Sequence, residues 1–331
     1  MNSRERVFAA MDNKPVDRVP FAFWRHFLMD EHIVDGLKDP GVMETNYEGH
    51  VRFVQEVRPD FVKIMTDGLF HFSGLEVNAI RTVKDLEGFK ELRDDDPWIE
   101  ANVRHAERVV RLHPELCHFY NVFSPAIILR IHIGEDRFFD LLREDRAKFL
   151  RALEVYGQGI AKMVRRVLKE TEVDGVYYSV QNPNVERMGD DEYRELLRPS
   201  DLIALDAANE LSGWNILHVC GYDGRRNHLE AWADYPSKSV NWAVRVEGVG
   251  LSQGRDIFGG RAVLGGFGNT TRDLLFTGPR DEIEARVAEI VHDAGTIGTI
   301  VAADCSLPYA VPHEHLVWVR EKLYSMFPGG H

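Results

Sequence analysis

Three side chains carry the sharpest chemistry in this sequence. His218 and Cys220 stand two residues apart in the run Trp214–Cys220 (WNILHVC), and Cys305 closes the run Thr299–Cys305 (TIVAADC). Both runs are short and apolar, as buried strands are. Residues i and i+2 of a strand point to one side, so the imidazole and the Cys220 thiol share a face while Val219 turns away. If both runs belong to one closed ring of strands, Cys305 reaches into the same mouth. One histidine and two cysteines make a three-ligand zinc set with a fourth position open to substrate, the count of a catalytic site. The same residues also suit packing, with the cysteines as small buried hydrophobes and His218 as a satisfied core histidine. H-x-C with a third ligand far downstream is not a short motif that decides between the two.

Other residues offer less specific chemistry. Asp67 follows the run Phe61–Thr66, where a catalytic or orienting carboxylate would lie, and where a loop or N-cap aspartate is equally at home. Gly265, Gly266 and Gly268, followed by Asn269-Thr270-Thr271, form a turn that can approach a phosphate or a large cofactor, or can make a tight corner. Arg25 and His26 end one run, and Tyr177, Gln181 and Asn182 end another, as pocket lining. Phe21, Phe23, Trp24, Phe70, Tyr177 and Tyr178 lie near the ends of runs as aromatic lining, which is common in barrels without ligand meaning. His313-Glu314-His315 opens a helix behind Pro312, and histidines two apart on a helix diverge, which places them at the surface.

Eight apolar runs supply the elements that would position these groups: Val19–Trp24, Phe61–Thr66, Cys117–Phe123, Gly175–Gln181, Trp214–Cys220, Val240–Arg245, Ala262–Phe267 and Thr299–Cys305. The segments between them read as helices. Ile283, Val287, Ile290 and Val291 fall on one helical face that ends at Gly295, and Phe138 to Val173 carries apolar residues three or four apart. Asp94 to Trp98 (DDDPW) marks a helix start or exposed turn within the longest connection, Glu76 to His113. Eight strands with crossover helices close a (β/α)8 TIM barrel, whose active site lies at the C-terminal strand ends. A doubly wound sheet would need a glycine-rich loop after its first strand, and Trp24-Arg25-His26-Phe27 is not one.

Composition narrows the function classes. The 331 residues hold 40 basic and 53 acidic side chains, a net charge of −13, which disfavours nucleic acid as a partner. There is no apolar stretch long enough for a membrane span and no signal-like N-terminus. Three cysteines, Cys117, Cys220 and Cys305, cannot build a disulfide framework and fit a reducing, cytoplasmic setting. No linker or repeat divides the chain, so one domain over residues 1–331 is expected.

On this frame the chain resembles the uroporphyrinogen decarboxylase (URO-D) superfamily along almost its whole length. Pro15-Val16-Asp17-Arg18-Val19-Pro20 resembles its PxDRxP lead-in to the first strand. Lys63-Ile64-Met65-Thr66-Asp67 lies where the superfamily has its second strand and aspartate. Gly266-Phe267-Gly268-Asn269 resembles its G-x-G-N turn, before a helix with Asp281-Glu282-Ile283. Ala303-Asp304-Cys305-Ser306-Leu307-Pro308, then Pro312-His313-Glu314-His315-Leu316, resemble its closing strand and P-x-E-N-L helix start. The resemblance implies a single (β/α)8 barrel.

Branches of the superfamily differ at the metal positions. The decarboxylases carry R-Q-A-G-R after the first strand and a histidine on the last. Here only Arg25 remains of that segment, and Cys305 stands in place of the histidine. The methylcobamide:coenzyme M methyltransferase-like branch has H-x-C on one strand and a cysteine on the last, which His218, Cys220 and Cys305 match residue by residue. The resemblance therefore implies Zn2+ on those three residues and a corrinoid such as methylcobalamin, as substrate or on a partner corrinoid protein. A small-molecule methyl donor or acceptor completes the set, with Asp67 catalytic and Arg25, His26, Tyr177, Gln181, Gly266, Gly268 and Asn269 facing substrate or corrinoid. Methyl transfer to a thiol needs thiolate, and a free thiol has a pKa of about 8.5. Zinc with two cysteinates and a neutral histidine would deprotonate the thiol without quenching it, and cobalt would leave as Co(I). The alternatives are a metal-free lyase of the decarboxylase type, an O- or N-demethylating methyltransferase that delivers methyl to the corrinoid, and a non-catalytic corrinoid-binding or assembly partner.

Overall fold

The computed structural model describes residues 1–31, 33–70 and 79–329. Seven strands form one parallel sheet in which each pairs with the next in sequence. They are β1 (Phe61–Ile64), β2 (Cys117–Phe123), β3 (Gly175–Val180), β4 (Ile216–Val219), β5 (Ser239–Trp242), β6 (Ala262–Phe267) and β7 (Thr299–Ala303). Every strand residue except Phe123 is buried, which is why these segments read as continuous apolar runs.

Helix α1 (Ser3–Met11) precedes the sheet, capped by Asn2 and Glu5 in a reciprocal capping box. Then come α2 (Pro40–Val57) before β1 and α3 (Pro97–Val110) before β2. Each starts with an aspartate N-cap and a proline at the first position, Asp39-Pro40 and Asp96-Pro97. Between β2 and β3 lie α4 (Pro125–Ile133), α5 (Glu135–Glu144) and α6 (Arg146–Glu170), and between β3 and β4 lie α7 (Asp190–Leu196) and α8 (Arg198–Asn209). The remaining helices are α9 (Val244–Glu247), α10 (Leu251–Ile257), α11 (Leu274–Thr277), α12 (Arg280–Ala294) and α13 (His313–Met326). The expected face of α12 is the buried one, and Gly295 ends it with φ 73°. The long connection expected from Glu76 contains α3, and its first residues, through 78, lie outside the described residues. Among the described residues no helix is long and apolar enough to cross a membrane.

The segment expected as the first of eight strands departs from the others. It forms no ladder, only isolated parallel bridges of Phe21 with Val301 and Arg25 with Leu307. Ala22 N–H donates to Val301 O at 3.0 Å and Val301 N–H to Pro20 O at 2.9 Å, while Asp60 N–H donates to Phe21 O at 2.9 Å. Pro20 has no N–H to give, and the Phe21 N–H goes to the Asp60 carboxylate at 2.9 Å, so ladder bonding is interrupted.

Register sorts the strand side chains onto two faces. Lys63, Phe119, Tyr177, His218 and Asn241 share the inner face through the pairings of β1 to β5. Tyr120 and Tyr178 point the other way, their hydroxyls donating to Asn102 on α3 and to the Asp201 carbonyl on α8. Beneath the sheet, before β1, Asp60 accepts a two-pronged pair from Arg18 (2.6 and 2.7 Å) and a third bond from Arg6 (3.0 Å). Arg6 also grips Asp17 at 2.7 and 2.9 Å. The Asp17-Arg18 of the opening motif therefore ties α1 to the base of the sheet.

Candidate metal centre

His218 is the third residue of β4, and Cys220 follows its end, its N–H donating to Val180 O at 2.8 Å. Cys305 lies two residues past β7, in the turn that leads to the Arg25–Leu307 bridge. Two neighbouring C-terminal strand ends in the ring are thus not required. The inward curl of the sheet brings β4 and β7 together across its mouth. One ligand atom from each of His218, Cys220 and Cys305 lies within 4.8 Å of the others, and the two sulfurs are 3.8 Å apart. These three residues could hold a metal ion.

Two features mark the group as more than packed core. His218 is 1% exposed, yet among the described residues neither ring nitrogen has a hydrogen-bond partner. Buried polar atoms are nearly always paired, and an unpaired imidazole beside two thiols is placed to donate a lone pair to an ion. The sulfurs are also unequal. A hydrogen bond from Cys220, with help from His218 and Lys63, pushes the Cys305 thiol well below its ordinary value, whereas the contact with Cys305 and then burial push Cys220 up. Cys117 lies at the opposite end of the sheet with its thiol near Arg4 O, and burial pushes it up.

Cys305 opens onto a cavity of about 530 Å³ whose wall includes His26, Glu31, Tyr222, Asn269 and Tyr309. Beside it, His26 Nδ1 lies 3.0 Å from Asp67 Oδ1, and Asp67 Oδ2 accepts the Phe27 N–H at 2.7 Å. Burial opposes the charge on each, but their attraction outweighs it, so His26 is held above its ordinary value and Asp67 below. Asp67 is thereby an orienting partner of His26, at the mouth as its position after β1 foretells. Asn269 donates to Ser306 O at 3.3 Å.

The remaining expected residues spread around this centre. Tyr177 is at its inner wall, its ring 5.2 Å from that of His218 and its hydroxyl donating to Asn241 Oδ1 at 2.6 Å. Gln181 bridges Arg130 and Tyr222 O at 2.6 and 3.0 Å, and Asn182 donates to Met188 O. Arg25 donates to Tyr309 O and stacks over that ring at 4.8 Å. Gly266 and Gly268 are held for packing: a Cβ on Gly266, at φ 113°, would meet Ile290 Cδ1 at 2.6 Å, and one on Gly268 would meet Asp273 Cγ at 2.5 Å. Trp24 and Phe21 are fully buried, Phe23 packs on Phe267, and Phe70 borders a small cavity with Trp98 rather than the mouth. His313 pairs with Glu56 and His315 Nδ1–H donates to Leu275 O at 3.0 Å, both away from the centre.

Two residues of the centre were not singled out by sequence. Lys63 is buried on the inner face, and burial lowers its pKa to about 8 against the attraction of Cys305, Cys220 and Asp67. Its signal was there, a lysine interrupting a wholly apolar strand. Asp304 is also buried, where desolvation raises it to about 7 although it accepts the Arg245 N–H at 2.9 Å.

Comparisons with known proteins bear on the fold and the family. No curated protein matches the chain. Among solved structures, a methyltransferase from Methanosarcina mazei superposes with a TM-score of 0.75 at 16% identity, covering 99% of this chain and 99% of that one. A B12-independent methionine synthase from Shewanella sp. W3-18-1, in complex with selenomethionine, superposes with a TM-score of 0.56 at 9% identity, covering 94% of this chain and 97% of that one. At these identities the likeness is one of fold. The sequence model of the uroporphyrinogen decarboxylase (URO-D) family matches residues 76–324, most of the chain, and the protein belongs to that family.

Proposed function

We propose that this protein is a zinc-dependent methyltransferase that moves a methyl group between a corrinoid and a thiol, with His218, Cys220 and Cys305 as the zinc ligands. The observation that carries the reading is the convergence of those three donors, with both His218 nitrogens unpaired among the described residues, beside an open cavity that Cys305 lines. The donor set fits zinc on geometry. Two zinc–sulfur bonds of about 2.3 Å at a tetrahedral angle put the sulfurs about 3.8 Å apart, and the separation here is 3.8 Å. The fold likeness to a methyltransferase and to a methionine synthase supports methyl transfer as the reaction class.

When bound, zinc supplies the acidity that deprotonates a thiol at its open position. The chain's own residues do the rest. Cys305, the more exposed of the two cysteines, faces the cavity through which both substrates arrive. The His26–Asp67 pair keeps a protonated imidazole at the rim, able to hold an anionic group of the substrate or to take part in proton exchange with it. Buried Tyr177 and Trp24 wall the inner side and keep water from the donor atoms. The corrinoid arrives on a partner corrinoid protein. In this reading residues 1–331 form one domain, and Val19–Trp24 is the eighth member of a (β/α)8 barrel. Its bonds to β7 and to Asp60 support that closure.

The test is demethylation of methylcobalamin, followed by its visible spectrum, with a panel of small thiols. Wild type with zinc is expected to demethylate it with at least one thiol, and Cys305→Ala is expected to lose the activity. Equal activity in both proteins would overturn the proposal and favour a metal-free reaction.

A further inference from the structure

Lys63 is 4% exposed on the inner face of the sheet. Its Nζ lies 3.9 Å from the centroid of the Tyr177 ring, 5.4 Å from that of Trp24 and 3.4 Å from Ser306 Oγ. Among the described residues no carboxylate forms an ion pair with it, and nearby Asp67 is already engaged by His26 and the Phe27 N–H. A buried ammonium with no counter-anion is unfavourable, and two ring faces with one long hydroxyl contact offset only part of that. The other groups near it that can carry negative charge are the sulfurs of Cys305 and Cys220. Tyr177 touches both Lys63 and the metal centre, its ring centroid 3.9 Å from Lys63 Nζ and 5.2 Å from that of His218.

We propose that Lys63 is a positioning residue of the metal centre, its buried positive charge offsetting the negative charge that arises when two cysteinates and an anionic fourth ligand share one divalent ion. This rests on the zinc reading above. A divalent ion with two cysteinates and a neutral histidine is formally neutral, and a thiolate in the open position leaves one net negative charge in a buried site. Lys63 returns that site to neutrality. A neutral fourth ligand needs no such compensation, so Lys63 sets the class of ligand the centre prefers: anions, thiolates among them.

The test uses full-length wild type, Lys63→Met and Lys63→Arg loaded with cobalt(II), whose visible bands report the fourth ligand, titrated with 2-mercaptoethanol and separately with imidazole. Lys63→Met is expected to weaken thiol binding by about tenfold or more, the range for groups that support metal ligands, while imidazole binding stays within about twofold. Lys63→Arg keeps the charge and is expected to stay near wild type. Metal-free Lys63→Met should melt no lower than wild type, since a side chain of similar volume replaces a buried charge. If Lys63→Met does not fold, Lys63→Gln carries the same comparison. Equal thiol binding in wild type and the neutral variant, equal loss for thiol and imidazole, or a Lys63→Arg protein no better than Lys63→Met would overturn the role of Lys63. A wild type that takes up neither zinc nor cobalt would instead overturn the zinc reading itself.

Discussion

Two polar clusters at opposite ends of the same sheet, one around Asp60 and one around His218, treat their buried groups in opposite ways. At the base, Asp60 is 1% exposed and both its oxygens are taken, by Arg18, Arg6 and the Phe21 N–H, while Asp17 holds Arg6 and the N-terminal amine. At the mouth, among the described residues, His218 keeps both nitrogens unpaired, Asp304 one oxygen, and Arg25 and Arg130 each their Nε. A closed network contributes only to folding. An open one is unfavourable for folding and is tolerated where a ligand can complete it. The contrast follows the division of parallel α/β barrels into a stabilising N-terminal face and a reactive C-terminal face.

Asp60→Asn should therefore give the largest change, a loss of about 3–5 kcal/mol in unfolding free energy, because two arginines stay buried without their carboxylate. Denaturant melts would show it. Zinc stoichiometry of the folded fraction should not move. Cys220→Ala does the reverse: zinc affinity should fall by more than about a hundredfold, beyond the effect of losing a supporting group, while the metal-free protein melts close to wild type. A Cys220→Ala protein that unfolds like Asp60→Asn would erase the distinction between the two ends.

Asp67 lies between these extremes, being both paired and at the mouth. Asp67→Asn should destabilise by about 2 kcal/mol, less than a fully enclosed pair because His26 keeps some solvent contact. The pH dependence has a definite sign. His26 is held above its ordinary 6.5, so its share of the pair's stability is complete below pH 6.5 and is lost as pH rises through the raised value. Asp67 is held below 3.8, so its share is complete above that pH and is lost as pH falls through the lowered value. The gap between wild type and Asp67→Asn should thus narrow on both sides, and a gap independent of pH would show that the pair is not charged. The smallest effect sharpens the comparison at the glycine turn. Gly266→Ala should lose about 1–2 kcal/mol by pressing on Ile290 at an unfavourable φ, with zinc affinity unchanged.

Much of this was legible in the sequence because burial writes itself into composition. β2 and β6 coincide with the runs Cys117–Phe123 and Ala262–Phe267, and the one-sided face of α12 with Ile283, Val287, Ile290 and Val291. The shared face of His218 and Cys220 was readable from the parity of strand residues, and the approach of Cys305 followed only from taking both strands into one curled sheet. The ladder character of Val19–Trp24 was not readable, since it depends on Pro20 and on a carboxylate 39 residues downstream that captures the Phe21 N–H. Nor was the division of labour between Tyr177 and Tyr178, which register alone assigns to the inner wall and to α8. Lys63 shows in the sequence as a lysine interrupting an apolar strand, but its lack of a counter-anion among the described residues is a relation in space that the chain does not carry.

Metal analysis of reduced, zinc-supplied protein after desalting tests the central claim most directly. Wild type should retain about one zinc per chain, and Cys220→Ala and Cys305→Ala essentially none. A wild type without zinc, or cysteine variants that keep a full equivalent, would contradict it.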